Sequence, residues 1–294
     1  MIQNGFEYGV RHHLALSNGP MGHILMSEMG LSDSQILFLL NLGAIYHNHK
    51  RSDGPLDSQI QLNDYLRVHT NPRRFDCSKT KWKETIIFEN VDFIVMNKPA
   101  GLPCHPTVDN KIENILTQAS RALKTSLYIT HRLDVPTSGL IVYAKTKEFQ
   151  TRFNKLIMQG AVEKIYFAQV EKKNSSLKPG IIEHWMKKSP YAPKTVSSQP
   201  QPDWPGGGDL CQLEILETKE MNDSTNQLKI RLITGRTHQI RSQLSHLGFP
   251  IIGDQLYGSS RTHQAGLESI GLTAAILKLR IDNIDYQFSL DPQN

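Results

Sequence analysis

Residues 130–146, THRLDVPTSGLIVYAKT, place three chemically capable side chains ahead of an apolar stretch. His131, Arg132 and Asp134 occupy a segment that leads through a proline and a glycine into a predicted strand. A strand needs no such polar cluster at its entrance, so we expect these side chains to face a cleft. Asp134 could act there as a nucleophile or a general base, but it could equally be a salt-bridge partner or a turn former.

A second polar group opens a predicted helix within TGRTHQIRSQLSHLGFPIIGDQLYG, residues 234–258. It consists of Arg236, His238, Gln239 and Arg241. Free backbone N–H groups at a helix start, together with arginines, favour an anion such as a phosphate or a carboxylate. The alternative is a surface helix whose basic residues are only solvated.

Short strands with occasional helices are predicted from Glu84 onward, and these elements must position both groups. The strand patterns are TIIFEN, DFIVMNK, GLIVYAK, KIYFAQVE, CQLEILE, LKIRLI and YQFSL. Helical patterns cover 111–124, 147–159 and QIRSQLSHLG. Strands that follow one another with only some helices between them favour a mixed, mostly antiparallel sheet in an α+β fold. Tyr166 lies in the KIYFAQVE strand, where a tyrosine on its own usually belongs to the core.

A smaller compact unit is predicted near the N-terminus. In LSDSQILFLLNLG a helix begins at Ser32 or Asp33 and ends at Gly43. The strand AIYHN, a turn at KRSDGP and the alternating strand QIQLNDYLRVH complete the unit. The predicted order is a loosely ordered tail (1–18), this small α/β unit (19–76), a basic linker (77–85) and a larger domain (86–294).

Composition restricts the class of protein. The chain is 38% hydrophobic and 21% charged, which is ordinary for a soluble globular protein. No apolar run is long enough to span a membrane and no signal-peptide pattern is present, so we expect a cytoplasmic protein. Three dispersed cysteines argue against a disulfide framework or a zinc ribbon, and the histidines lack metal-ligand spacing. The net charge of +5 is clustered at 71–83 and 228–241, which suits either a phosphate backbone or a solvated face.

Four stretches together resemble one family in order and spacing, the RluA class of pseudouridine synthases. They are DFIVMNKPAGLPCHP at 92–106, HRLDVPTSGLIVYAKT around Asp134, EKIYFAQV around Tyr166, and TGRTHQIRSQL with the later GFPIIGDQLYG. The similarity covers about 86–290. It implies a largely antiparallel sheet crossed by an RNA cleft, and the conversion of selected uridines to pseudouridine without a cofactor.

The resemblance also implies a role for each site residue. Asp134 falls on the catalytic aspartate, Tyr166 on the tyrosine that packs against the target uracil, and Arg241 on the arginine that pairs with the aspartate. Arg132 falls on a basic residue that enters the space left by the flipped nucleotide. The remaining RNA contacts are expected at Arg236, His238 and Gln239.

The expected substrate is a structured RNA, with ribosomal RNA favoured over tRNA. The protein is expected to act as a monomer, without a protein partner, a membrane or a metal. Two other hypotheses stay open: an RNA-binding or RNA-remodelling protein with the same fold, and a hydrolase that uses Cys104 and His105. Whether Asp134 attacks the sugar or abstracts a proton is open as well.

Some positions depart from the family pattern. Val135 follows the aspartate where the family often has a basic residue, and Thr273 stands where it usually has histidine. Residues 19–76 resemble, more weakly, an alpha-L type RNA-binding module, but Asp33 replaces a common arginine in its RNA-facing helix. Because all four family stretches lie within 84–294, we expect that fragment to fold alone.

Overall fold

The computed structural model describes residues 6–7, 9–171, 177–222, 224–263 and 269–290 of the chain. The chain forms two compact units, the first from Met1–Lys79 and His105–Gln118, the second from Thr80–Cys104 and Ala119–Asn294. Both units combine strands with helices, which confirms the predicted fold class. Within these described ranges, no helix is long and apolar enough to cross a membrane.

The first unit contains a five-stranded sheet, a separate strand pair and two helices. Its strands are β1 (Phe6–Glu7), β2 (Val10–Leu14), β3 (Gly19–Pro20), β4 (Ile45–His47), β5 (Lys50–Arg51), β6 (Gln59–Ile60) and β7 (Tyr65–His69), and its helices are α1 (Met21–Ser27) and α2 (Asp33–Leu42). The sheet order is β1-β2-β7-β4-β5, and β3 pairs with β6. Ile24, Ile36 and Leu66 belong to one apolar core that joins helices and sheet.

The predicted ends of α2 are confirmed by its capping residues. The Ser32 hydroxyl accepts a hydrogen bond from the backbone N–H of Gln35, and the Gln35 side chain accepts one from the Ser32 backbone N–H. Gly43 ends the helix with φ 71°, a left-handed conformation that glycine adopts at little cost. Short-range chemistry therefore determines both ends of this helix.

Two expectations for the first unit differ from the structure. Part of the expected N-terminal tail is the strand β2, which pairs with all five residues of β7. The expected strand QIQLNDYLRVH is divided into β6 and β7. Asn63 has φ 68° between them, and such a left-handed residue interrupts an extended strand.

The boundary between the units also differs from the expected linker, because residues 105–118 belong to the first unit. The Tyr46 hydroxyl donates to the carbonyl of Val108 at 2.7 Å. Two arginines just beyond β7 make ion pairs with this segment, Arg73 with Asp109 at 3.3 Å and Arg74 with Glu113 at 2.6 Å. A segment that continues directly from Cys104 is thus built into the N-terminal unit.

The remaining elements begin at residue 86. The strands are β8 (Ile86–Glu89), β9 (Phe93–Lys98), β10 (Tyr128–Ile129), β11 (Ser138–Ala144), β12 (Val162–Glu171), β13 (Gly180–Met186), β14 (Val196–Ser197), β15 (Asp209–Asn222), β16 (Thr225–Leu232), β17 (Leu272–Ile281) and β18 (Ile284–Ser289). The helices are α3 (Ile115–Leu123), α4 (Lys147–Met158) and α5 (Gln239–His246). Helix α3 begins later than expected, because the Asn114 side chain accepts from the backbone N–H of Thr117 and so caps the helix there.

The strands β8 to β18 form one eleven-stranded sheet with a main order β14-β13-β15-β16-β12-β17-β11-β9-β8. Neighbouring strands are antiparallel except β11 and β17, which are parallel, so the predicted mixed, mostly antiparallel sheet is confirmed. The long strands β13 and β17 and the two-residue strands β10 and β14 were not predicted from the sequence. Phe93, Phe149 and Phe153 belong to the apolar core that packs α4 on this sheet.

Candidate active site

A buried lysine holds the loop that carries Asp134. Lys98, at the end of β9, is 1% exposed and donates to the carbonyls of Pro99, Val135 and Thr137 at 2.7–3.0 Å. Burial lowers the pKa of the Lys98 ammonium to about 8. Two of these three acceptors, Val135 and Thr137, belong to the loop and follow Asp134, so Lys98 fixes the backbone on that side of the aspartate.

A cysteine fixes the same loop on the other side of Asp134. The buried thiol of Cys104 donates to the carbonyl of Leu133 at 3.2 Å, and the Leu133 N–H donates to the sulfur at 3.3 Å. Burial also raises the pKa of this thiol, which disfavours the reactive thiolate. This arrangement gives Cys104 a structural role and counts against the hydrolase hypothesis.

Arg241 lies between two carboxylates. It is 4% exposed, and its Nε and Nη2 donate to both oxygens of the buried Asp254 at 2.7 and 2.8 Å. Its remaining Nη1 donates to Asp134 Oδ2 at 3.3 Å. Burial opposes the charge of Arg241, but the bonds to Asp254 and the field of Asp134 outweigh it and raise the pKa of the guanidinium. Asp254 therefore aims a permanently charged donor at Asp134, whose side chain is 20% exposed.

The pairing of the strands places Tyr166 near Asp134. It lies in β12 opposite Ala274 of β17, and Gly139 at the start of β11 lies opposite Ala274 on the other side. A Cβ at Gly139 would lie 2.3 Å from the Ala274 carbonyl, so only glycine permits this approach. Burial, followed by the nearby Asp134 carboxylate, raises the pKa of the Tyr166 hydroxyl, which stays neutral. The strand register thus brings the tyrosine and the aspartate loop together.

His238 and Tyr257 complete the polar surroundings of Asp134. His238 Nε2 is 3.9 Å from Asp134 Oδ1, and His238 Nδ1 is 3.0 Å from the Tyr257 hydroxyl. The guanidinium of Arg241 lies over the Tyr257 ring, 5.0 Å from its centroid. Both groups that face Asp134 therefore contact one tyrosine.

The other residues singled out from the sequence divide into exposed and buried ones. Arg132 and Arg236 are exposed, with Arg236 Nη1 3.9 Å from Asp209. Gln239 is 3% exposed. Its Oε1 accepts hydrogen bonds from the Thr234 hydroxyl and the Arg236 backbone N–H, and its Nε2 donates to the carbonyl of Gln212. The expected RNA contact at Gln239 is therefore not accessible, because the amide is used to hold the turn before α5.

His131 also points inward, not into a cleft as expected. Its Nε2 accepts from the backbone N–H of Val142 at 3.1 Å, and its ring stacks on Phe153 at 5.9 Å. Burial, with a smaller contribution from Lys164, lowers the pKa of His131 to about 3. His131 is therefore a neutral acceptor that ties the loop to β11.

Three residues of this site were not identified from the sequence: Lys98, Asp254 and Tyr257. All three lie inside stretches that carry the family resemblance, NKPAG and GDQLYG. Asp254 could not be assigned from the sequence, because the burial of Arg241 that calls for a second carboxylate is a feature of the tertiary structure. Among the residues that the structure describes, no three His, Cys, Asp or Glu side chains are grouped as metal ligands.

Comparisons with known proteins agree on one family. The family model for RNA pseudouridylate synthase matches residues 92–246. RNA pseudouridine synthase 6, chloroplastic, of Oryza sativa subsp. japonica is 34% identical over 224 residues, which cover 68% of this chain and 46% of that protein. Ribosomal large subunit pseudouridine synthase D of Xylella fastidiosa is 31% identical over 190 residues, covering 60% and 52% respectively.

A solved structure shows the same fold. Human RNA Pseudouridylate Synthase Domain Containing 4 superposes with a TM-score of 0.58 at 22% identity, covering 71% of this chain and 89% of that one. The chain spans about half the length of the curated relatives named above. Because the family model extends over more than half of the chain and the relatives include ribosomal large subunit synthases, the chain belongs to the RNA pseudouridylate synthase family and to its RluA class.

Proposed function

We propose that this protein is an RNA pseudouridine synthase in which Asp134 carries the chemistry. The observation that supports this most is the convergence of Asp134, Arg241 and Tyr166, which come from three separate stretches of the chain. Each of the two oxygens of Asp134 faces a donor group, and a neutral phenol lies beside it. A carboxylate held in this way is oriented before substrate arrives.

The reaction breaks the bond between uracil and ribose, turns the base and rejoins it through carbon 5. The proposed chemistry places the Asp134 carboxylate close to the sugar–base junction, where Arg241 Nη1 donates to its Oδ2 at 3.3 Å. Tyr166 is 6% exposed, and we propose that the released uracil packs against its ring while it turns. Atoms only exchange positions within the nucleotide, so the proposed reaction needs no cofactor.

RNA contacts are proposed at the exposed arginines. The target base must leave its stack at a cost of a few kcal/mol, and Arg132 would occupy the vacated space. Arg236 would contact a phosphate, since it is exposed and only loosely paired with Asp209. His238 and Gln239 are better explained by contacts inside the protein.

Ribosomal RNA remains the favoured substrate, with tRNA as the alternative. The name of the Xylella relative supports ribosomal RNA, although that protein shares only part of its length with this chain. The rice relative is chloroplastic by name, so a cytoplasmic location of this chain stays a prediction. The test is to map pseudouridines in total RNA from cells with and without this gene, where a site lost from tRNA alone would overturn the ribosomal proposal.

The proposed chemistry is tested by Asp134→Asn, which keeps the shape of the side chain but removes its charge. We expect single-turnover pseudouridine formation to fall by roughly 10³-fold or more, with RNA affinity and thermal midpoint nearly unchanged. The substrate is total RNA from cells that lack the gene. Asp285→Asn is the matched control, because the Asp285 side chain is 81% exposed. Near-normal rates in Asp134→Asn would leave an RNA-binding or remodelling protein as the better hypothesis.

A further inference from the structure

His238 is held in a backbone conformation that residues with a Cβ rarely adopt. It precedes α5 with φ 58° and ψ 23°, in the left-handed region. The turn is secured by Gln239, whose Oε1 accepts from the backbone N–H of Arg236 at 3.0 Å and whose Nε2 donates to the carbonyl of Gln212 at 3.0 Å. Strain of this kind persists where the surroundings enforce it, and it occurs often at functional sites.

The hydrogen bonds of Tyr257 decide which nitrogen of His238 carries the proton. The Tyr257 hydroxyl accepts from the backbone N–H of Lys194 at 2.7 Å and lies 3.0 Å from His238 Nδ1. A phenol has one proton to donate. If that proton goes to Nδ1, both bonds are satisfied and the imidazole proton lies on Nε2. The opposite tautomer would leave the phenol proton without this acceptor.

The same assignment suits the carboxylate. With its proton on Nε2, His238 presents an N–H to Asp134 Oδ1 at 3.9 Å, while Arg241 Nη1 contacts Oδ2 at 3.3 Å. The opposite tautomer would turn a lone pair toward a negative charge. Two independent contacts of His238, to Tyr257 and to Asp134, therefore favour one tautomer.

Burial favours the neutral form of the His238 ring. Burial has the largest effect and lowers the pKa of the imidazole. Asp134 and Asp254 raise that pKa, whereas Arg241 and Lys194 lower it. A neutral imidazole with a fixed tautomer can orient a carboxylate without competing for its charge.

We propose that His238 is a positioning residue for Asp134, set in its Nε2–H tautomer by the hydroxyl of Tyr257. The proposal rests on the proposed function, because its purpose is to orient the reacting carboxylate. Tyr257 would govern both donors of Asp134, since its ring supports Arg241 and its hydroxyl supports His238. When substrate binds, the Nε2–H is expected to approach Oδ1 to hydrogen-bond length.

The first test uses Tyr257→Phe, which keeps the ring under Arg241 and removes only the hydroxyl. Full-length protein labelled with ¹⁵N-histidine reports the tautomer of each imidazole by NMR, and His238→Gln assigns the signal. We expect wild-type His238 to show the neutral Nε2–H form near pH 7, and Tyr257→Phe to lose that preference. A wild-type His238 that is protonated or carries its proton on Nδ1 overturns the proposal, whether or not the protein modifies RNA.

The second test measures single-turnover rates on total RNA from cells that lack the gene. We expect Tyr257→Phe to lower the saturating rate roughly tenfold and to leave the half-saturating RNA concentration unchanged. His238→Gln, whose amide can still donate, should retain more of the rate than His238→Ala. The control is Tyr46→Phe, which also loses one hydroxyl that is bonded to the backbone. A normal rate in Tyr257→Phe, or a change in RNA affinity alone, overturns the proposal.

Discussion

At the scale of single residues, Arg241 and Arg236 carry the same charge but differ in burial. Arg241 is 4% exposed and contacts two carboxylates, whereas Arg236 is exposed and has one distant acidic neighbour. The same side chain therefore serves different purposes at the two positions. Our proposal therefore assigns Arg241 to the ordering of the site and Arg236 to contact with RNA phosphate.

We expect Arg241→Ala to damage the chemical step and Arg236→Ala to damage binding. Loss of Arg241 leaves Asp254 buried without its partner, which costs about 3–5 kcal/mol of folding stability, so Arg241→Lys is the milder variant. Arg236→Ala should weaken RNA binding and reduce the salt slope by about 1. Rates at saturating RNA and affinities over a range of salt separate the two effects. Equal losses of rate in Arg241→Lys and Arg236→Ala would refute this division.

At the scale of elements, the loop between β10 and β11 is anchored by one basic side chain at each end. Lys98 donates to the carbonyls of two residues that follow Asp134. His131, which precedes Asp134, accepts a hydrogen bond from a backbone N–H of β11. Lys98 uses its charge, whereas His131 must remain neutral to accept. Acid should therefore release the loop at its His131 end.

The pKa of His131 is lowered to about 3 in the folded chain, against 6.5 in the unfolded chain. Its contribution to stability is complete above the unfolded value and is lost as pH falls from there toward the folded value. We expect His131→Gln to lower the free energy of unfolding near pH 7 and to reduce the difference between wild type and variant by up to about 2–3 kcal/mol near pH 4.5. Urea unfolding at both pH values measures this, with the exposed His49→Gln as control. A difference that does not change with pH would assign His131 no titrating role.

At the scale of the whole molecule, the division of the chain does not follow the sequence order. Residues 105–118 belong to the first unit, where Asp109 and Glu113 meet Arg73 and Arg74. Burial of Asp109 opposes its charge, but the bonds to Arg73 outweigh this and lower the pKa of the carboxyl. Removal of residues 1–79 would leave both acids without these partners.

The fragment 84–294 is therefore expected to be less stable than the sequence alone suggested. Its thermal midpoint should fall, and the full-length double variant Arg73→Ala with Arg74→Ala should fall in the same direction by less. RNA affinity over a range of salt shows separately whether the first unit holds RNA, since lost phosphate contacts make the slope shallower. A fragment with the midpoint of the full-length protein would show that residues 105–118 need no support from the first unit.

The sequence by itself determined the features that depend on neighbouring residues. Ser32 and Gly43 define helix α2 because capping is a matter of three or four residues. The continuous apolar run of β11 and the apolar pattern of β12 predict those strands. The family stretches also identified Asp134 and Arg241, which the structure brings to 3.3 Å. Their catalytic roles stay a proposal.

Only the tertiary structure decided which way the polar side chains point and what they meet. His131 and Gln239 stand in the same motifs as the site residues, yet they turn inward because backbone groups of Val142 and Arg236 need partners there. Asp254 became part of the site because Arg241 is buried and needs a second carboxylate. Such pairings depend on strand register and burial, and these arise from contacts between residues far apart in the chain.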